Sequence, residues 1–529
     1  MRPTERGFLG EPFRVLERAA QGFATPWRCV ALIVVTGVCF GLIVNSSWKA
    51  TPDSALYLAL GESLARGDGF VFNGEPHTFV PPGFPLMIAA AARVWGASFL
   101  TYRVLLAFTG FCAVIACYVF LSRLCGPHSA LLIGGIFAVN HTLLEYSTHT
   151  LSDVPFALVT LIALNLVVHA STEVFHGPWS AMAALVSGTL SVIRINGLGI
   201  PPVTAWGLFV QRKHMEASKR WVWAGLFIFL ALTPFFAWQL WKSSFPASTT
   251  EGTYFSAVVA RHFDDQIRGI AAALWGYFGE TTYALSGLSI KTGFLELLLP
   301  VIVGWGMVCA YRQGDRFLVP LVVIQYGGLL LSSAGARYLI FLIPVLYLFL
   351  ALGFLTLGEV LAQRASWAPK PRSVMVYGLL VLGALNLGHN GITLYEARTA
   401  LEANGPESKR SLPFFEASRW LKTHAPHARV LTTRSRIIHY LSGCRTIPLL
   451  RSGVPDHEVW VNRVSDIQGI LETEKPDFVF ADATKPEVYD AVWKAVQSMG
   501  SRLERVWEAT SSDRYTLWRI VPGSSSPNL

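Results

Sequence analysis

Two carboxylates and three arginines are the residues whose setting suits chemistry. Asp53 stands two residues after Thr51 and one helical turn before Tyr57, in a polar stretch that follows the first apolar run. A carboxylate at such a border can take the proton of an attacking hydroxyl, the work of a general base. Asp153 follows Ser152 and precedes Val154 and Pro155. Two ionisable groups converging at helix mouths mark a candidate functional site in a membrane protein. Arg103, Arg194 and Arg337, the last followed by Tyr338, offer planar forks that match phosphate oxygens better than the point charge of a lysine. Each residue also has a plainer reading. Asp53 complements a helix dipole, Ser152 with Asp153 caps a helix, and single arginines at helix ends snorkel to lipid headgroups. Pro81, Pro82 and Gly83 stop one element and redirect the chain into the next. Glu75 with His77 is too little for a metal site, and no DxD is present. No cofactor is certain from the sequence; a divalent metal is compatible with it but not indicated.

The elements that position these groups come from composition. For 529 residues, about three soluble domains of roughly 150 residues would be the first expectation. The chain is 52% hydrophobic and only 15% charged, with 33 Phe and 17 Trp; soluble domains run to about 25% charged. This is a polytopic α-helical membrane protein, and disorder, collagen-like repeats and disulfide-stapled folds are excluded. The net charge of +9 does not point to nucleic acid. Its basic residues gather beside apolar runs, in Arg2, Arg6, Arg14 and Arg18, in Arg212, Lys213, Lys219 and Arg220, and in Arg364, Lys370 and Arg372. That is the positive-inside pattern, which also attracts anionic membrane lipids.

Apolar runs near 29–44, 103–122, 128–145, 154–170, 179–193, 197–210, 221–241, 293–311, 317–332, 339–357 and 374–392 give about eleven transmembrane helices. Residues 179–193 and 197–210 are two tilted helices or one broken hairpin. The run 83–95 is short of the roughly 17 residues a crossing needs, and reads as a re-entrant or membrane-hugging piece. Excluding it puts all three basic clusters on one side, and residues 46–102, 146–153, 242–292, 333–338 and the C-terminus on the other. Thr51 as N-cap, Pro52 at the first helical position and Gly67 to Gly69 as a stop predict a helix. Its stripe of Leu56, Leu60 and Leu64 is expected to face the bilayer surface. Domains follow: a cytoplasmic segment 1–28, a transmembrane domain 29–394 with first outer loop 46–102, and an outer domain 395–529. In the last, a helix at 414–424, strands at 429–433 and 476–481, and a closing pair at 504–508 and 514–520 suggest a small α/β fold. It carries no nucleotide or hydrolase motif.

Together, Asp53 with Tyr57 and a Gly-rich end, the Pro81-Pro82-Gly83 turn, Ser152 with Asp153, and Arg337 with Tyr338 resemble the GT-C glycosyltransferases. The likeness is to the branch holding protein O-mannosyltransferases and lipid A aminoarabinose transferases, and it spans essentially the whole chain. The resemblance implies inverting transfer of a sugar from a polyprenyl-phosphate donor to an acceptor hydroxyl at the outer face of a bacterial inner membrane. Asp53 would be the base, and Asp153 would orient the loop, the acceptor or a metal. Arg337, then Arg194, would bind the donor phosphate; Arg103 matches an arginine near the start of a family helix, and either joins them or braces the loop. Tyr57, Pro81, Pro82 and Tyr338 would support them. The acceptor would be a lipid, a glycan or a protein. The chain departs from the branch at Ser54, where the mannosyltransferases have a second acid, and at Val80, where the aminoarabinose enzymes have a lysine. Two rivals stand beside this reading: a transporter or flippase of a lipid-linked or amphipathic substrate, and a non-catalytic scaffold for the C-terminal domain.

Overall fold

The computed structural model describes residues 11–172, 176–212, 215–245, 263–289, 294–330, 335–364, 369–404, 412–449, 463–482, 485–510 and 514–522. Arg2, Arg6 and Lys213 of the basic clusters lie outside them. The described chain is mostly helical. Among the described residues five helices are long and apolar enough to cross a membrane: α5 (Phe99–Cys125), α8 (Asp153–Thr172), α11 (Ala217–Lys242), α15 (Ile343–Arg364) and α16 (Pro371–Asn404). Shorter apolar helices include α2 (Pro26–Leu42), α4 (Gly83–Trp95), α6 (Pro127–Ala138), α9 (His176–Ile193) and α14 (Leu318–Leu329). The outward side of α2 shows how such helices meet their surroundings. Trp27, Val30, Ile33, Val34, Val35, Val38 and Leu42 are all exposed. An apolar surface of that extent marks a face that meets a membrane or another protein rather than water. By contrast α15 is buried from Ile343 through Gly353 and sits in the centre of the bundle.

Several apolar runs are broken where polar groups intervene. Asn140 ends the first part of the run 128–145: its side chain accepts from Leu143 N at 3.0 Å and caps the short helix α7 (His141–Tyr146). It also donates to the Tyr347 hydroxyl at 2.9 Å, so the break is itself packed. Residues 179–193 and 197–210 are two helices. α9 stops at Ile193, a 3-10 turn spans Ile195–Gly199, and α10 (Ile200–Gln211) starts with Pro201 and Pro202 in its first turn. The remaining bundle helices are α1 (Glu11–Ala19), α12 (Phe263–Ser286) and α13 (Phe294–Arg312). α12 occupies a stretch expected to be loop.

The helix α3 (Pro52–Arg66) has the boundaries its sequence predicts. Thr51 and Ser54 form a reciprocal capping box, and Gly67 closes the helix at φ 90°, a left-handed position that glycine adopts without steric cost. Its apolar stripe is not turned to the bilayer. Leu56 and Leu60 are fully buried against Phe70, Leu64 and Val80, while Ala55 and Leu58 pack with Phe84 and Ile88 of α4. The expected interfacial helix is therefore an internal one. It has apolar partners on two faces, and protein contacts displace the lipid.

One of those partners comes from the C-terminal segment. There α17 (Leu412–His424), α18 (Ser435–Ser442), α19 (Val464–Glu474) and α20 (Pro486–Ser498) flank a five-stranded sheet. Its strands are β3 (Arg429–Thr432), β4 (Arg445–Pro448), β5 (Phe478–Asp482), β6 (Ser501–Glu508) and β7 (Tyr515–Pro522), in the order β4-β3-β5-β7-β6. The pairs β3–β4 and β3–β5 are parallel, the others antiparallel. Ile437 and Ile438 of α18 share a buried cluster with Ala55 and Leu58 of α3. A two-stranded hairpin, β1 (Val71–Phe72) with β2 (Glu75–Pro76), reaches β4 through Asn73. The Asn73 side chain donates to Thr446 O at 2.8 Å and accepts from Thr446 N at 2.9 Å. The Tyr440 hydroxyl donates to Glu62 at 2.8 Å.

Candidate active site

The first turn of α3 presents Asp53 at one end of the bundle, with its side chain 45% exposed. Its position follows from the cap: Thr51 fixes where the helix begins, and Pro52 sets the first φ. Two guanidinium groups approach it. Arg337 Nη2 lies 3.7 Å from Oδ2, and Arg436 Nη1 lies 3.3 Å from Oδ1. Arg337 belongs to a 3-10 turn, Ala336–Leu339, anchored where Ala336 N donates to the Glu280 carboxylate at 2.6 Å.

Asp153 starts α8, and its side chain is 2% exposed. Arg194, just past the end of α9, donates to Asp153 Oδ1 at 2.7 Å and to Ser152 Oγ at 3.2 Å. The proline turn sets this junction. A Cβ at Gly83 would lie 2.6 Å from the Val192 carbonyl oxygen. Only a glycine after the two prolines therefore lets α4 start against the end of α9, two residues before Arg194. The Tyr338 ring joins the two halves of the site: Arg194 lies over it at 4.9 Å and Arg337 at 4.8 Å. Cation–π contacts of this kind hold guanidinium planes in place. Arg337 Nη2 also donates to the Tyr338 hydroxyl at 2.8 Å. Tyr57 meets the edge of Phe84 at 5.1 Å, and its hydroxyl is 3.4 Å from Ser152 Oγ.

Electrostatics tie these groups together. Burial works against the Arg337 cation, but Asp153, Tyr338 and Asp53 outweigh it and hold its pKa above the ordinary arginine value. Arg194 is likewise raised: burial opposes its charge, and Asp153 overcomes it. Burial, then the nearby Asp53 charge, pushes the Tyr57 phenol up, so it stays neutral. Asp153 Oδ2 is buried and has no hydrogen-bond partner among the described residues. An unsatisfied carboxylate oxygen beside an arginine cluster is a place for a hydroxyl or water to bind.

The fold thus brings Asp53, Tyr57, Asp153, Arg194, Arg337 and Tyr338 together, with Pro81 and Pro82 bracing the junction. Arg103 is placed elsewhere. Its guanidinium donates to the backbone carbonyls of Thr148 and Ser47 and is buried there. Arg436 and Glu280 have no counterpart in the sequence reading. Arg436 lies 383 residues from Asp53 in a segment without a motif, and only the docking of α18 on α3 reveals it. Among the described residues no group of three or more His, Cys, Asp and Glu side chains is arranged to hold a metal.

The helical bundle, with five helices among the described residues long and apolar enough to cross a membrane, shares its fold with solved GT-C membrane proteins. No family model matches the chain, and no curated protein matches it. Solved structures do. The oligosaccharyltransferase of Archaeoglobus fulgidus, tethered with an acceptor peptide containing the NVT sequon, superposes with a TM-score of 0.55 at 12% identity, over 93% of this chain and 74% of that one. The same organism's AglB, in complex with an inhibitory peptide and a dolichol-phosphate, gives 0.53 at 12% identity, over 96% and 76%. ArnT from Cupriavidus metallidurans gives 0.48 at 14% identity, over 93% and 97%.

Proposed function

We propose that the chain is an inverting membrane glycosyltransferase that takes a sugar from a polyprenyl-phosphate donor. The observation that carries the reading is a half-exposed carboxylate, Asp53, facing two arginine forks at the end of a GT-C bundle. The acceptor oxygen attacks the anomeric carbon from the face opposite the phosphate. As the new C–O bond forms, its proton passes to Asp53, and the old C–O bond breaks with its electron pair leaving on polyprenyl phosphate. Charge grows on the phosphate oxygens during that step, which is where preorganised guanidinium groups stabilise it. Arg337 serves this role; Arg194 holds Asp153, whose free oxygen takes a hydrogen bond from the acceptor or from a bridging water. A monophosphate leaving group requires no metal, so none enters the mechanism.

On this reading eleven helices cross a bacterial inner membrane, with 83–95 excluded from the count. The basic clusters face the cytoplasm, and the site and residues 395–529 face the opposite side. The acceptor is a lipid, glycan or protein hydroxyl. The test is release of polyprenyl phosphate from a panel of polyprenyl-phosphate sugars by the detergent-purified protein, beside Asp53→Asn. Turnover in the wild type that is lost in an equally folded variant supports the reading. Binding of lipid-linked sugar with neither hydrolysis nor transfer, across a panel of acceptors, would favour a transporter instead.

A further inference from the structure

At the other end of α9 from Arg194, two arginines carry charge that no side chain around them answers. Arg212 follows the last residue of α10 and is only 2% exposed. Its Nη2 donates to Ser180 Oγ, near the start of α9, at 2.6 Å, and its guanidinium lies over the Trp223 ring of α11 at 5.4 Å. Arg220, in the first turn of α11, reaches the opposite way and lies over the Phe209 ring of α10 at 4.8 Å. The Nε of each is buried without a hydrogen-bond partner. Among the described residues neither guanidinium has a carboxylate partner, because the acids nearby are engaged. Glu216 is the only acid between His176 and Lys242, and it pairs with Lys219 at 3.2 Å. Asp315 adjoins the corner through Arg316, whose carbonyl accepts from Trp206 Nε1, but its two oxygens accept from the backbone of Phe317, Leu318 and Val319. The negative end of the α10 dipole offsets part of the Arg212 charge and gives Nε no acceptor. A buried guanidinium without a counter-ion is costly, so an anion from outside the chain fits here.

The aromatic surroundings indicate its source. Trp206, Trp221 and Trp223 are exposed on this corner. Trp206 stacks on Phe209 at 5.5 Å, and Trp221 meets the same ring at 4.5 Å. Tryptophans at the ends of apolar helices sit at the level of lipid headgroups. Further along α11, Leu226, Phe229, Phe236 and Leu240 are exposed and form an apolar wall. α9 holds Ser180 and Arg194 roughly 20 Å apart, at about 1.5 Å of rise per residue, so this corner is separate from the candidate active site.

We propose that the corner between α10 and α11 binds the phosphodiester headgroup of one anionic phospholipid, with Arg212 and Arg220 as its ligands. Guanidinium edges match phosphate oxygens, and each of these two has its Nε free to donate. Ser180, Trp223 and Phe209 hold the guanidinium planes in position, and the acyl chains lie along the apolar wall of α11. This is a built site for a single lipid, distinct from the diffuse attraction of a basic cluster for a charged bilayer. It stands without the glycosyltransferase reading.

The experiment titrates the full-length protein in detergent with phosphatidylglycerol, and separately with phosphatidylcholine of the same chains, and counts bound lipid by native mass spectrometry. The wild type should prefer phosphatidylglycerol by about tenfold or more. Arg212→Gln and Arg220→Gln should each reduce that preference by about tenfold, the size of one charge-assisted hydrogen bond, and Arg220→Lys should restore part of it. A ratio of two lipids on one protein cancels any general loss of lipid uptake. Arg364→Gln, in a different basic cluster, should leave the ratio unchanged. No preference in the wild type, or a wild-type ratio in both glutamine variants, would overturn the site. An equal loss in Arg364→Gln would reduce it to diffuse attraction and overturn it too. Millimolar inorganic phosphate should leave phosphatidylglycerol bound; its displacement would make free phosphate the ligand and overturn the lipid.

Discussion

Asp53 and Asp153 are the same residue type, each in the first turn of a helix and each facing arginine, yet their surroundings differ in kind. Asp153 is 2% exposed and holds one arginine at 2.7 Å, whereas Asp53 is 45% exposed and shares two at 3.3 Å and 3.7 Å. A buried, short pair is costly to break because its surviving partner is left charged in a poor solvent. A solvated, long pair contributes little to stability. The contrast separates an anchor, which fixes where Arg194 and Tyr338 stand, from a group free to act.

The widest test of that contrast is Asp53→Asn, expected to cut transfer by about 10²–10⁴-fold, the range of general-base catalysis, with an unchanged melting temperature. Asp153→Ala should do the reverse in order of cause. It strands Arg194 and costs about 3–5 kcal/mol of stability, read as a lower melting temperature in detergent before any kinetic effect is assigned. If Asp53→Asn melts early and Asp153→Ala does not, the two roles are exchanged.

A smaller effect sharpens the line between the halves. Gly83→Ala puts a methyl against the Val192 carbonyl at 2.6 Å, and such overpacking costs about 1–3 kcal/mol. It should shift Arg194 and raise the donor KM, with the pH profile set by Asp53 kept. The smallest concerns the latch over Asp53. Burial lowers the His439 pKa below its ordinary 6.5, against an opposing hydrogen bond from its ring to Cys444 O. An undocked, solvated imidazole therefore binds more protons than the docked one as pH falls below 6.5, and docking weakens in that window. Protection factors of residues 435–442, which divide out the intrinsic slowing of amide exchange in acid, should fall between pH 7 and pH 5, and His439→Gln should flatten the change.

Legibility in the sequence followed the range of the interactions. The limits of α3 were readable because capping is local: Thr51, Pro52 and Gly67 each act within a few residues. Asp53 and Asp153 were readable because charged groups beside apolar runs are rare. The stripe of Leu56 and Leu60 points toward lipid in the sequence because nothing nearby tells a bilayer from the apolar side of α4 or Phe70. The stop at Asn140 leaves no local sign, since its partners, Tyr347 and Ala284, lie 207 and 144 residues away. Arg103 and Arg337 look alike as arginines opening helices, and only the carbonyls of Ser47 and Thr148 set them apart. In the C-terminal segment the strands at 429 and 478 show their apolar character. β4 is as long as β3 but carries Arg445, Thr446 and Pro448 around one apolar residue, and the eight residues of α18 are too few to show a period. That omission hid Arg436.

The two-way bond between Asn73 and Thr446 has a consequence outside catalysis. β4 is one of the two edge strands of its sheet, and an edge strand offers unpaired backbone groups to any passing chain. A side-chain amide that donates and accepts at Thr446 imitates a neighbouring peptide group, so the hairpin acts as a one-residue counterfeit strand. Molecules lacking it would present a free template and pair with one another through β4. Protection of the sheet edge is thereby entrusted to a hairpin 373 residues away in the chain, and the two segments are obliged to fold in each other's company.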